Sequence, residues 1–137
     1  FRMKVLTYGE IMDGGLSVFH SVAKLDDRHL ILTFEGVIRV DNPYRYLHAY
    51  LEELAKVLPK QKISDTTMDF VKMRFCNSNG FYVIMDIVDA VYNLVPGPVT
   101  VRRIADDDWQ CETLPILLNL SEELISARTK FEDIKAS

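Results

Sequence analysis

The sequence predicts an α/β domain whose mixed sheet starts with an antiparallel hairpin and continues with parallel strands joined by crossover helices. Two β-rich runs flank a short polar turn near the N-terminus, and two amphipathic helical patterns then alternate with strand-like runs. A length of 137 residues suits one domain with a substantial core. The predicted order is ββαβαβα with a possible final strand, and its crossovers are expected to be right-handed.

The first two strands are predicted in residues 16–24 and 30–40. The first run alternates apolar and polar side chains, and Asp26 and Asp27 then supply a turn. The second run, LILTFEGVIRV, is rich in branched and aromatic residues, which favour strands. Gly36 inside it predicts a β-bulge. This hairpin is expected to form an antiparallel edge of the sheet.

The first helix is predicted from Pro43 to Leu58. Asp41 or Asn42 can cap it, and Pro43 at the first helical position costs nothing because its missing N–H would be unpaired there anyway. Pro59 stops the helix. Its buried stripe consists of leucines at helical spacing: Leu47, Leu51, Leu54 and Leu58.

A third strand is predicted in residues 66–75 and a second, strongly apolar helix in residues 78–95. One helix face gathers the residues expected in the core: Ile84, Ile87, Val88, Val91 and Leu94. Phe81, Met85 and Tyr92 form a further apolar flank, whereas the opposite face is polar. Such a wide apolar surface predicts either that the helix is buried on two sides or that one of its faces binds a partner.

The C-terminal third is less regular. Residues 99–105 predict the fourth strand, and Asp106–Asp108 favour the start of a third helix, which Pro115 makes short or irregular. Residues 124–129 could form a last edge strand, and residues 130–137 are predicted to be a tail.

Composition narrows the class of protein. The sequence is assigned to a single domain over residues 1–137, with its core in about residues 16–120. A net charge of −4 with scattered Lys and Arg argues against nucleic-acid binding. No apolar run approaches the ~20 residues of a membrane span, and no secretory signal is visible. Phe1 and Arg2 precede the first methionine and are either added residues or the end of a trimmed extension.

The two cysteines, Cys76 and Cys111, indicate reduced thiols in a cytoplasmic protein, because they share no metal or redox spacing. Cys76 ends a strand beside a helix start, which could favour a thiolate nucleophile. A buried core cysteine is the better interpretation. The patterns of serine hydrolases and phosphate-binding loops do not occur, and neither a cofactor nor a metal site is predicted.

The segment FCNSNGF, residues 75–81, places polar residues between an apolar strand and an apolar helix. Either Asn77 or Ser78 can cap the helix, and Gly80 allows a close approach of the backbone. The loop of residues 39–43 follows another strand of the same sheet. Because carboxyl ends of parallel strands share one edge, the two loops are expected to be neighbours in one docking surface.

The run from Asp69 to Gly80, together with the order of elements, resembles the STAS family, which includes bacterial anti-sigma factor antagonists. The family pattern begins a strand with Asp and then opens a hydrophobic helix with Asp-Ser-Ser-Gly or Asp-Thr-Ser-Gly. Asp69, Ser78 and Gly80 match this pattern, whereas Asn77 and Asn79 replace an Asp and a Ser or Thr. The resemblance covers about residues 16–120.

The resemblance implies a non-enzymatic regulator in signal transduction by partner switching. Its partners would be a serine kinase and anti-sigma factor of the histidine-kinase-like ATPase type and a PPM-type phosphatase. Ser78 would be the phosphorylated serine. The residues expected to bind partners lie in the two loops: Asp41, Asn42, Asn77, Ser78, Asn79, Gly80 and Phe81. The alternative is a STAS module that binds a ligand or acts as a scaffold without phosphorylation.

Overall fold

In the computed structural model, which describes residues 3–136, the chain forms one mixed sheet and a layer of helices. The strands are β1 (Met3–Asp13), β2 (Leu16–Asp26), β3 (His29–Ile38), β4 (Asp65–Asp69), β5 (Met73–Cys76), β6 (Val99–Ile104) and β7 (Thr129–Ile134). The helices are α1 (Tyr44–Val57), α2 (Ser78–Leu94), α3 (Asp108–Leu117) and α4 (Glu123–Arg128), with a 3₁₀ turn at Leu58–Lys60. The predicted α/β class is confirmed.

The sheet joins an antiparallel half to a parallel half. Strands β1, β2 and β3 pair antiparallel, and β4, β6 and β7 extend the sheet in parallel in the order β1-β2-β3-β4-β6-β7. Strand β5 lies off this path and pairs in parallel with the C-terminal part of β3. The carboxyl ends of β3 and β5 therefore meet at one end of the sheet.

The predicted bulge at Gly36 is confirmed. Gly36 has a φ of +106°, and a Cβ atom there would lie 2.1 Å from the backbone oxygen of Val18. A register shift follows Gly36 where β3 pairs with β5.

The prediction of a single strand over residues 66–75 is wrong, because a turn divides this segment into β4 and β5. In this turn the Met73 N–H donates to the Phe70 carbonyl at 2.9 Å.

The core lies between the sheet and the helices. Along β3, Leu30, Leu32 and Phe34 are fully buried, while the residues between them are half-buried. The buried face is covered by α1 near β1 and β2, where the hydroxyl groups of Ser21 and Tyr50 form a buried hydrogen bond of 2.8 Å. The other face, called the open face below, carries the half-buried polar side chains of the central strands.

Helix α1 follows the prediction except at its start. It begins at Tyr44, and no side chain caps it. The predicted cap by Asp41 or Asn42 is wrong, because Asn42 offers its backbone carbonyl to Arg45 at 3.3 Å while both side chains are exposed. The predicted leucine stripe is buried except for one half-buried member, Leu51, the others being Leu47, Leu54 and Leu58.

The C-terminal prediction is wrong in two respects. Residues 124–128 belong to α4 and not to an edge strand, and residues 130–134 belong to β7 and not to a tail. The short apolar pair Leu124 and Ile125 does not distinguish strand from helix. In β7, only Phe131 and Ile134 are apolar, so the segment reads as polar in sequence.

Side-chain contacts with β6 accompany the backbone pairing of this polar strand. Strand β7 pairs in parallel with β6, and Arg102 donates to Glu132 at 3.0 Å while Arg103 donates to Asp133 at 2.6 Å. The guanidinium carbon of Arg103 also lies 3.7 Å from the ring centroid of Phe131. Charged side chains on an edge strand also disfavour pairing with another chain.

Strand β1 was not predicted, and it extends the core beyond residues 16–120. Ile11 is fully buried, and Gly9 faces the ring of Tyr50. Two register shifts within β1 interrupt its alternation of apolar and polar residues, which weakens the strand signal. The first two residues, Phe1 and Arg2, and the last, Ser137, lie outside the described residues.

Candidate functional site

The candidate site is the junction of residues 75–81, where β5 ends and α2 begins. Asn77 is the N-cap of α2, because its backbone is extended and its side-chain oxygen accepts from the Gly80 N–H at 2.8 Å. Of the two caps left open by the sequence, the structure has Asn77. Ser78 therefore stands at the first helical position with an exposed side chain that is not needed for capping.

Two asparagine side chains connect this junction to the loop of residues 39–43. The Asn77 side-chain nitrogen donates to the Val40 carbonyl at 3.1 Å, and the Asn79 side-chain nitrogen donates to the Asp41 carbonyl at 2.8 Å. The predicted proximity of the two loops is confirmed. Both connections are made by the residues that depart from the Asp-Ser-Ser-Gly pattern.

The amide of Asn77 makes contacts that a carboxylate could not make together. Its oxygen accepts from Gly80 while its nitrogen donates to Val40. An ionised aspartate could keep the first bond, but its second oxygen would face the Val40 carbonyl without a proton to share. Asn77 thus anchors the loop and leaves no negative charge directly before Ser78.

Gly80 allows α2 to lie close to the sheet. The residue is buried, and a Cβ atom would lie 2.8 Å from the Cβ of Ile38 and 3.0 Å from the Cβ of Cys76. Neither neighbour is the flexible end of a long side chain. Packing alone therefore requires the glycine that the sequence motif contains.

The start of α2 presents backbone N–H groups that favour a negative group. The Gly80 N–H is capped by the Asn77 side chain, and the Phe81 N–H donates to the Asn77 carbonyl at 2.9 Å. The N–H groups of Ser78 and Asn79 precede these and have no intrahelical acceptor. The first turn, which the structure describes completely, contains no acidic residue, so the helix dipole there is not offset within the turn.

A groove of about 440 Å³ opens beside Ser78, between α2 and α3. Its apolar wall includes Phe81, Tyr82 and Ile116, and Glu112 contributes a negative charge. Tyr82 and Ile116 are 57% and 68% exposed, so a large apolar surface borders an exposed serine. A patch of this kind is typical of a contact site for another molecule.

The contribution of α3 to this groove was missed from the sequence. Its lining residues, Trp109, Glu112, Thr113 and Ile116, lie at i, i+3, i+4 and i+7 on one helix face. That spacing is the signal in the sequence that could have indicated this face. Trp109 does pack, with its ring centroid 6.2 Å from that of Phe75.

The loop of residues 39–43 brings a positive charge to the rim of the site. The guanidinium carbon of Arg39 lies 5.0 Å from the ring centroid of Phe75, two residues before Asn77. Asp41 and Asn42, both predicted to bind partners, are exposed on the same loop. The site therefore combines exposed polar backbone, an apolar groove and charges of both signs.

Cys76 is placed differently from a reactive thiol. It is 8% exposed, and burial raises its pKa to about 11, so the thiol is protonated at neutral pH.

Asp69, which matches the acid of the family pattern, pairs with Arg102 at 2.7 Å and accepts from the Val71 N–H at 3.0 Å. It thus supports the turn after β4. Within residues 3–136, no group of three or more His, Cys, Asp or Glu residues is arranged to hold a metal ion.

No known family model matches the sequence, and neither does any curated protein. Within residues 3–136, no helix has both the length and the apolarity needed to cross a membrane.

Proposed function

We propose that this chain is a non-enzymatic STAS-like regulator, similar to bacterial anti-sigma factor antagonists, whose binding to a protein partner is controlled by phosphorylation of Ser78. The observation that carries the proposal is the exposed Ser78 hydroxyl at the first position of α2, with capping left to Asn77. The partner would be a serine kinase and anti-sigma factor of the histidine-kinase-like ATPase type. A PPM-type phosphatase would reset the switch in the cytoplasm.

A phosphate at this position would leave the fold intact. It would add about −1.5 to −2 charges beside the free N–H groups of Ser78 and Asn79 and the positive end of the helix dipole. Asn77 supplies no opposing carboxylate. The local free energy of folding should therefore change little, and could become more favourable.

The docking surface, by contrast, would change greatly. Ser78 lines the same groove as Glu112 and the apolar residues Phe81, Tyr82 and Ile116. A dianion beside Glu112 would make an apolar contact site strongly negative, and a partner would have to desolvate that charge to bind. Phosphorylation would thus act on partner binding and not on folding.

The direct test is to incubate the protein with ATP and a kinase of this type from the same genome, and to map phosphate by mass spectrometry. We expect a single phosphate on Ser78, and loss of kinase binding for Ser78→Asp but not for Ser78→Ala. Ser126→Asp, an exposed serine in α4, is the matched control and should bind like the wild type. Phosphate elsewhere, together with unchanged binding of Ser78→Asp, would refute the switch.

A second candidate function is supported by the groove itself. A volume of about 440 Å³ is within the range of small-molecule sites, so the chain could be a STAS-like module that binds a ligand or acts as a scaffold without phosphorylation. Native mass spectrometry of freshly purified protein separates the two functions. A stoichiometric small molecule that is lost in an Ile116→Arg variant would favour this second function.

A further inference from the structure

A second cluster of reactive side chains lies on the open face, at the opposite end of the parallel strands from Ser78. His29 begins β3, and Asp65 is its register partner at the start of β4. Thr67 follows two residues later on the same face of β4, beside Ile31 of β3 and Thr100 of β6. All three members of the cluster are half-buried, so small molecules in solution can reach them.

The distances join the three side chains in one chain of hydrogen bonds. The Nδ1 atom of His29 lies 2.7 Å from Oδ1 of Asp65, and its Nε2 atom lies 2.9 Å from the Thr67 hydroxyl. An ionised carboxylate can only accept, so in the neutral imidazole Nδ1 carries the proton and donates it to Asp65. Nε2 then has a lone pair, and the Thr67 hydroxyl donates to it.

This order, carboxylate to imidazole to hydroxyl, is the one by which serine hydrolases activate a nucleophile. We infer that Thr67 is an acyl-acceptor site, which takes an acyl group from a small activated ester with His29 as general base and Asp65 as its positioning residue. The inference is independent of Ser78. It concerns one covalent transfer to the protein and requires no turnover.

The transfer is balanced in atoms and charge. The Thr67 oxygen attacks the ester carbonyl and forms a new C–O bond, while its proton passes to Nε2 of His29. The carbonyl then expels the alkoxide or phenoxide of the donor, and the bond between the carbonyl carbon and that oxygen breaks. The proton on His29 goes to the leaving group or to solvent, and the product is an acyl ester of Thr67.

The test uses the full chain and p-nitrophenyl acetate as the probe. Intact-mass measurements follow the gain of acetyl groups with time, and peptide mapping locates them. We expect one fast acetylation, on Thr67, that is absent in Thr67→Val and retained in Thr67→Ser. His29→Gln should slow it about 100-fold, the usual contribution of a general base. Asp65→Asn should also slow it, because an amide can donate to Nδ1 and force the proton onto Nε2.

Thr100→Val is the matched control, since Thr100 is the neighbour of Thr67 in β6 and makes no such contact with His29. It should be acetylated at the wild-type rate. Thermal unfolding of each variant separates lost reactivity from lost structure, and Thr67→Ser keeps the hydroxyl if Thr67→Val does not fold. Acetyl groups found only on lysines, or equal Thr67 acetylation in wild type and His29→Gln, would overturn the inference.

Discussion

The two ends of α2 are built in opposite ways. At the N-terminus, the neutral amides of Asn77 and Asn79 bind a neighbouring loop and Ser78 remains exposed. At the C-terminus, Arg128 of α4 donates to the carbonyl groups of Tyr92, Val95 and Gly97.

The two ends differ in whether a side chain of opposite charge balances the helix dipole. The negative C-terminal end is covered by a cation from another element, which offsets the dipole and binds the carbonyl groups of Tyr92 and of the cap residue Val95. The positive N-terminal end receives no acid from its own first turn. One end therefore already receives an opposite charge from within the fold, whereas the other is electrostatically suited to an added anion such as phosphate.

The largest effect is expected at the C-terminal end of α2. Arg128→Ala should lower the free energy of unfolding by about 3 kcal/mol, because three carbonyl groups lose a charged donor. Urea unfolding followed by circular dichroism measures this. Arg128→Lys keeps the charge but not the planar fork of donors, and should lose roughly half as much. If Arg128→Ala unfolds like the wild type, the C-terminal end is not held by this side chain.

At the N-terminal end of α2, the tightest packing is at Gly80. Gly80→Ala should lower the free energy of unfolding by about 1–2 kcal/mol, because overpacking against Ile38 and Cys76 outweighs the better helix propensity of alanine. Ser78→Ala is the matched control in the same turn and should stay within about 0.5 kcal/mol of the wild type. Equal stability of the two variants would show that α2 can move away from the sheet.

An effect of similar size but greater selectivity is expected at Asn77. Asn77→Ala loses both the cap and the loop anchor and should cost about 1–2 kcal/mol. Asn77→Asp keeps the cap and gains about 0.3–1 kcal/mol from the helix dipole, which offsets the lost bond to Val40. Hydrogen exchange should nevertheless become faster in residues 39–43 of Asn77→Asp. Unchanged exchange there would mean that the loop is held by other contacts.

Cys76 contributes a pH dependence of stability that acts only in alkaline solution. Burial raises its pKa from 9.0 to about 11, so the folded state keeps the thiol proton to higher pH than the unfolded chain does. Its contribution to stability is complete below pH 9.0 and is lost as the pH rises toward 11. Cys76→Ala should flatten the stability curve in that window. The tyrosines with raised pKa are present in both proteins and cancel in the comparison.

Features of the fold that depend on local spacing were predictable from sequence. The leucine stripe of α1, the start of α2 at Ser78 and the bulge at Gly36 all follow from residue type and period. The contact between residues 39–43 and the start of α2 also followed, because the topology of parallel strands requires it.

Features that depend on distant partners were not predictable in the same way. Strand β7 has few apolar residues and is stabilised by ion pairs with Arg102 and Arg103 across the sheet. The roles of Asn77 and Asn79 as loop anchors depend on carbonyl groups 37 and 38 residues away in the chain. From sequence, Asn77 could be read as a helix cap or as a missing acid, and Asn79 only as a missing hydroxyl.

The bend in β3 has a consequence for finding relatives of this protein. No side chain fits at Gly36 without displacing Val18, whatever the protein binds. Ser78, by contrast, is exposed and could be exchanged with little effect on the fold. In divergent relatives we therefore expect Gly36 to be retained more often than Ser78. A profile centred on this glycine and on the buried residues of β3 should detect copies in which Ser78 has been replaced.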